Sequence, residues 1–261
     1  MQALSKKKKV IPINKFVVSG RSVELIHGDA ISLIPRLTGP FGAVITDPPY
    51  SSGASSLSGK QHDTAHKYTA TKGACPLPNF EGDSLDQRSW TRWMATWLRD
   101  VRGICADGAV LCVFCDWRQI ASLTDALQWA GWLWRGVAVW DKINSRPQRG
   151  RFRQQSEFIV WGSNGALPAD RGVGVLPGVL SYTQQQSGTR LHQTQKPLEL
   201  MRQIVRICAP GGMIFDPFAG SGSTLIAAAM EGYDAVGCEI STAYFERAMH
   251  RLKIAERGEM A

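Results

Sequence analysis

The stretch Ala43-Val44-Ile45-Thr46-Asp47-Pro48-Pro49-Tyr50 joins a short β-branched run to a carboxylate, two prolines and an aromatic ring. Its first four residues read as a buried strand. Neither proline can donate to a sheet ladder, so the strand stops there. Each fixes its own φ, and Pro49 also pushes Pro48 into extended backbone. The result is a stiff corner presenting the Asp47 carboxylate, the Pro48 carbonyl and the Tyr50 ring. In open α/β sheets that edge is where ligands bind. Taken alone, the corner is equally a rigid turn after a core strand.

The 261 residues, 44% hydrophobic and 20% charged, suit one large α/β domain with an insertion. No apolar run approaches the roughly 18 residues of a membrane span, and no apolar segment follows the Lys6–Lys9 run as in a secretory signal. A cytoplasmic location, beside the nucleoid, is the expectation. The formal net charge of +8 argues for an anionic partner, nucleic acid first. Cys112 and Cys115 resemble half a metal site, yet in a strand they face opposite ways, and no second pair completes four ligands. We expect six reduced cysteines and no metal.

Outward from the corner, the expected elements alternate. Strands are expected at Val23–His27, Gly108–Phe114, Leu133–Trp140, Ser156–Trp161, Gly212–Phe215 and Tyr233–Cys238. Helices are expected at Ala30–Leu37, Ser89–Cys105, Arg118–Trp129, Pro197–Cys208, Ser223–Met230 and Thr242–Arg257. The Trp90, Trp93, Met94, Trp97, Leu98 and Val101 stripe has helical spacing and reads as core. Residues 1–22 read as a basic arm, and 23–162 with 193–261 as one catalytic domain. A long polar loop, 51–83, follows the corner, and 163–192 reads as a target-recognition insert. Arg146, Arg149, Arg151 and Arg153 crowd the link between two strands expected to pair as a hairpin.

A second motif, Asp216-Pro217-Phe218-Ala219-Gly220-Ser221-Gly222-Ser223-Thr224, follows the Gly212–Phe215 strand and opens a helix. Glycines at such a turn let backbone approach a ligand and aim amides at it. Glu239 ends the next strand at roughly the 20-residue interval where an acid holds ribose hydroxyls. The spacing is neither the dinucleotide fingerprint nor a phosphate loop. Asp216 suits a cation, so the adenosine ligand that fits, bearing an ammonium, is S-adenosylmethionine.

Together, Asp47-Pro48-Pro49-Tyr50 and Phe218-Ala219-Gly220-Ser221-Gly222, in that order, resemble the β group of DNA amino-methyltransferases, the N6-adenine and N4-cytosine enzymes. His192-Gln193-Thr194-Gln195-Lys196-Pro197 is similar to the segment preceding that family's cofactor motif, with Gln193 in place of a proline. The resemblance implies a class I, Rossmann-like methyltransferase fold. Its seven-stranded, mostly parallel sheet has one antiparallel hairpin strand, ordered Val23–His27, Tyr233–Cys238, Gly212–Phe215, Ala43–Thr46, Ala109–Phe114, Ser156–Trp161, Leu133–Trp140. It places Asp29 and Ala30 at the adenine and Glu239 at the ribose. Thr194, Gln195, Lys196, Asp47 and Asp216 through Thr224 fall around the rest of the cofactor.

It also implies that Asp47, Pro48, Pro49 and Tyr50 receive the amino group of a base flipped out of double-stranded DNA, with no metal; a homodimer is among the family's expectations. An aspartate at the first motif position leans towards adenine, with N4 of cytosine as the alternative. An RNA or protein-amide methyltransferase and an idle nucleic-acid-binding protein are the more distant readings. The four arginines are expected on the DNA face. Reversing the charge of Arg149 and Arg151 should weaken DNA binding and flatten its salt dependence; unchanged affinity and slope in a binding titration would refute that placement.

Overall fold

The computed structural model describes residues 12–51, 85–147, 149–184 and 196–259. The strands are β1 (Ile13–Val18), β2 (Arg21–His27), β3 (Phe41–Thr46), β4 (Cys105–Cys115), β5 (Leu133–Asp141), β6 (Ser156–Ser163), β7 (Val179–Ser181), β8 (Met213–Asp216) and β9 (Asp234–Glu239). The helices are α1 (Ala30–Leu33), α2 (Gln87–Arg102), α3 (Ile120–Trp129), α4 (Leu198–Val205), α5 (Ser223–Met230) and α6 (Thr242–Glu256). One sheet runs β1-β2-β9-β8-β3-β4-β6-β5-β7.

The seven central strands lie in the expected order, and β6 is antiparallel to both β4 and β5. Two edge strands enlarge the expected sheet. β1 lies within the stretch read as a basic arm and pairs antiparallel with β2. Its signal was a two-residue Ser19-Gly20 turn, both residues at positive φ, as tight hairpins require. The lysine run overshadowed it. At the other edge β7, within the 163–192 segment, pairs parallel with β5. Ser51 is the one described residue of the loop predicted at 51–83; Thr194, Gln195 and the sixth cysteine, Cys75, lie outside the described residues.

Strand alternation sorts the side chains into two cores, one on each face of the sheet. Ala43 and Ile45 pack with Leu200, Val205, Leu225 and Leu252 of α4, α5 and α6. Val44 packs on the other face with Trp90, Met94, Trp97, Leu123 and Leu127 of α2 and α3. Cys112 belongs to the first core and Cys115 to the second, so the pair faces opposite ways. The tryptophan stripe of α2 is core as read, with one addition: Trp90 Nε1 donates to the Pro49 carbonyl at 2.8 Å.

Gly237 is one of the points where this packing is tight. A Cβ there would lie 2.7 Å from Leu225 Cδ1 and 3.0 Å from Ala219 Cβ, so α5 and the loop before it could not keep their distance from β9. Gly237→Ala should cost about 1–3 kcal/mol in urea unfolding, as overpacked sites do.

Candidate active site

The carboxyl ends of β2, β9, β8 and β3 stand side by side and deliver four acids to one edge: Asp29, Glu239, Asp216 and Asp47. At the usual spacing of about 4.8 Å between strands, they span roughly 14 Å. β5 runs parallel to this set, so its hairpin with β6 leaves from the same edge. Because β6 runs backwards, its first residues, including Glu157, also lie there.

The Asp47–Tyr50 corner is held from behind. Trp90 occupies the Pro49 carbonyl, and Gln119 Nε2 donates to the Tyr50 carbonyl at 2.8 Å. Among the described residues nothing donates to the Pro48 carbonyl.

In front of the corner lies a buried charged cluster. Lys196 Nζ sits 2.6 Å from Asp47 Oδ2 and 2.6 Å from Glu157 Oε1. Lys142 Nζ meets the other Glu157 oxygen at 2.7 Å. The Tyr50 hydroxyl contacts Asp47 Oδ1, lies 2.6 Å from Glu157 Oε1 and accepts from Lys196 at 3.2 Å. Phe114, Tyr50 and Trp140 surround the Lys196 ammonium, with ring centroids 4.7, 5.6 and 5.9 Å away. Two acids balance two ammoniums.

Burial pushes the Asp47 carboxyl up, with Lys196 partly offsetting it. Burial acts the same way on Glu157, but there Lys196 and Lys142 win and hold it down at about 2. The Tyr50 phenol is raised well above its usual value by burial and both carboxylates, so it stays protonated. One phenolic proton therefore serves two carboxylate oxygens.

The second motif forms the next part of the edge. Thr46 Oγ1, the last residue of β3, donates to Asp216 Oδ1 at 2.6 Å and links the two motifs directly. Burial lifts Asp216 to about 6. Gly220 and Gly222 take positive φ, and Gly222 caps α5 in left-handed backbone. Glu239 is buried at the tip of β9, its oxygens accepting from the amides of Gly220 and Ser241 at 2.8 Å each. Asp29 caps α1, accepting from the Ile31 and Ser32 amides, and Ala30 is buried behind it. From α6 the buried Arg251 donates to the Ser221 carbonyl at 2.8 Å and the Ser223 hydroxyl at 3.0 Å, fixing the loop's shape.

The structure thus brings Asp29, Asp47, Lys196, Asp216–Thr224 and Glu239 to one edge. The Lys196 ammonium is bound to Asp47 and Glu157. Residues missed in the sequence are Lys142, Glu157, Gln119 and Arg251. Glu157 shares a strand face with Ile159, and Arg251 shares a helix face with Ala248 and Leu252. A charge on an otherwise apolar face was the signal in both cases. Arg146, Arg149, Arg151 and Arg153 are exposed on the β5–β6 hairpin. No group of three or more metal-ligating side chains occurs among the described residues, and no described helix is long and apolar enough to cross a membrane.

Comparison with known proteins defines the class. The sequence profile of the DNA methylase family N6_N4_Mtase matches residues 41–170 and 174–250. The chain belongs to that family: it is an S-adenosylmethionine-dependent DNA methyltransferase of the N6-adenine/N4-cytosine class. Among its relatives, the type II methyltransferase M2.DpnII of Streptococcus pneumoniae is 26% identical over 250 residues, covering 88% of this chain and 89% of the relative. The fold matches the M1.HpyAVI-SAM complex with a TM-score of 0.65 at 22% identity, over 88% of this chain and 98% of that one. The cytosine-N4-specific PvuII DNA methyltransferase also scores 0.65, at 14% identity, over 95% and 98%. S-adenosylmethionine is the cofactor expected of this class. The left-handed glycines, the buried acid at the tip of β9 and the Asp216 carboxylate fit an adenosine ligand that carries a cation.

Glu157 gives the charged cluster a measurable signature. Its carboxyl is depressed in the fold, so its contribution is full above about pH 4.5 and is lost as pH falls towards 2. Glu157→Gln should destabilise the protein by roughly 3 kcal/mol at pH 7. In urea unfolding the gap to the unsubstituted protein should narrow as pH falls below 4.5.

Proposed function

We propose that this protein methylates the N6 amino group of adenine in double-stranded DNA. The observation that carries the reading is the corner itself: a carboxylate and an unoccupied carbonyl on adjacent residues, at the tip of a strand hydrogen-bonded to the cofactor motif. The exocyclic amine of adenine is a weak nucleophile because its lone pair is delocalised into the ring. It carries two N–H groups. Asp47 and the Pro48 carbonyl accept one each, which localises the lone pair and aims it along the edge towards Asp216. Pro49 keeps the two acceptors rigid, and Tyr50 offers its ring to the base.

Bound along the edge, S-adenosylmethionine supplies an electrophilic methyl on a sulfonium. Glu239 would hold the ribose hydroxyls, Asp29 and Ala30 would border the adenine, and the loop from Asp216 to Thr224 would receive the amino-acid end. Lys196 bridges the two halves of the site. In its present position its ammonium hydrogen-bonds Asp47 much as the target amine would, so base entry exchanges one N–H donor for another. Burial lifts the Asp47 carboxyl, which suits it to take the proton the amine sheds. Besides accepting that proton, the chain contributes positioning and electrostatics.

A base inside a duplex cannot reach this corner, so the target leaves the stack. The exposed arginines Arg146, Arg149, Arg151 and Arg153 grip the backbone near the flipping point, and 163–192 reads the neighbouring bases. Digesting DNA treated with the protein and S-adenosylmethionine, then analysing its nucleosides by mass spectrometry, should reveal N6-methyladenine. N4-methylcytosine alone would sink the assignment to adenine, and the fold match to a cytosine-N4 enzyme makes that arm necessary. Asp47→Ala should lower transfer by at least about 100-fold while cofactor binding, measured by calorimetry, persists.

A further inference from the structure

We propose that Phe152 is a wedge that enters the duplex where the target base has left it, an inference resting on the DNA methyltransferase reading above. Phe152 is 98% exposed at the turn of the β5–β6 hairpin. Exposure alone marks nothing, since Val175 and Trp129 are also open to solvent. Position and company distinguish Phe152.

The hairpin leaves the sheet at the catalytic edge, and its root is part of the site. Lys142, one residue past β5, pairs with Glu157 of β6, which in turn contacts Tyr50 and Lys196. Phe152 lies five residues before Glu157, so fully extended backbone sets it at most about 17 Å from that root. This is comparable with the roughly 12 Å width of a major groove. A residue within that reach of the corner can meet the duplex beside the nucleotide whose base occupies it.

The surroundings of the ring suit DNA. Arg151 and Arg153 flank it, with Arg149 just before, and all are exposed. None of them, nor Arg146, pairs with a carboxylate among the described residues. Such uncompensated guanidiniums are phosphate ligands in waiting. An apolar ring between cations can slide between bases while its neighbours hold the two phosphate strands, the pattern of intercalating side chains.

The hairpin is also stiff enough to push. The Lys142 amide donates to the Gln155 carbonyl at 2.8 Å, and Gln155 Nε2 donates to Asp141 Oδ1 at 2.7 Å. Arg153 Nη1 reaches across to the Ile143 carbonyl at 3.4 Å. Asn144 and Gln184 exchange two hydrogen bonds, at 2.8 and 2.9 Å, and so clasp the hairpin to the segment after β7.

A wedge helps only when a base must be extracted, and this defines the test. The full chain, with Phe152→Ala and Phe152→Leu, would be assayed on two duplexes carrying the target site mapped for the unsubstituted protein. One duplex is fully paired, and the other has an abasic residue opposite the target, where extraction costs little. Phe152→Ala should lose about tenfold or more in kcat/KM on the paired duplex and no more than about twofold on the abasic one, with partial rescue by leucine. No loss on the paired duplex, or equal losses on both, would overturn the wedge. Failure of the unsubstituted protein to methylate any DNA would instead overturn the methyltransferase reading. The exposed ring packs on nothing, so thermal unfolding should be unchanged in both variants.

Discussion

Five side chains that cannot be separated cheaply hold this active edge together. Asp47, Glu157, Lys142 and Lys196 gather two charges of each sign around the Tyr50 phenol, with Glu157 and Lys196 buried and Asp47 and Lys142 partly so. Each ion would be expensive in a low-dielectric interior on its own, and each is tolerated because the others answer it. The cluster draws on the corner after β3, both strands of the hairpin and the residue leading into α4. It also accounts for the reversed strand: only by running antiparallel can β6 bring its opening residues to the edge where its neighbours end.

The cofactor side is built on a different principle. Among the described residues, the buried Arg251 has no carboxylate partner, its guanidinium bonding a carbonyl and two hydroxyls, with Nε left unpartnered. Burial lowers its pKa to about 10, still far enough above neutrality to keep it charged. A charge without a counter-ion makes a poor glue but a good template, since it holds Ser221 and Ser223 in one arrangement. With Glu239 already bonded to the Gly220 amide, little of the loop's shape has to be organised by a ligand.

Much of this was legible in the residue order. Proline and glycine chemistry located both turns, short β-branched apolar runs located the central strands, and the spacing between Asp216 and Glu239 indicated the kind of ligand. What escaped depended on neighbours remote in sequence. Glu157 and Lys142 acquire meaning only when the hairpin folds back beside β4, and Trp90 serves the corner only through the Pro49 carbonyl. β1 was obscured by the lysines preceding it, and β7 is three residues long with too little pattern to register. Local chemistry was readable; the pairing of remote charges was not.

The hydrogen bond from Thr46 to Asp216 joins residues 170 positions apart. β3 and β8 are spatial neighbours, but most of the chain intervenes, and β2 reaches β9 across a comparable gap. Closing such loops is entropically slow, and topologies rich in distant pairings fold late and cooperatively. A growing chain displays its acceptor corner long before the segment that carries the donor loop has been synthesised. Neither half can be competent alone, so catalysis begins only when the last strand has slotted into the middle of the sheet.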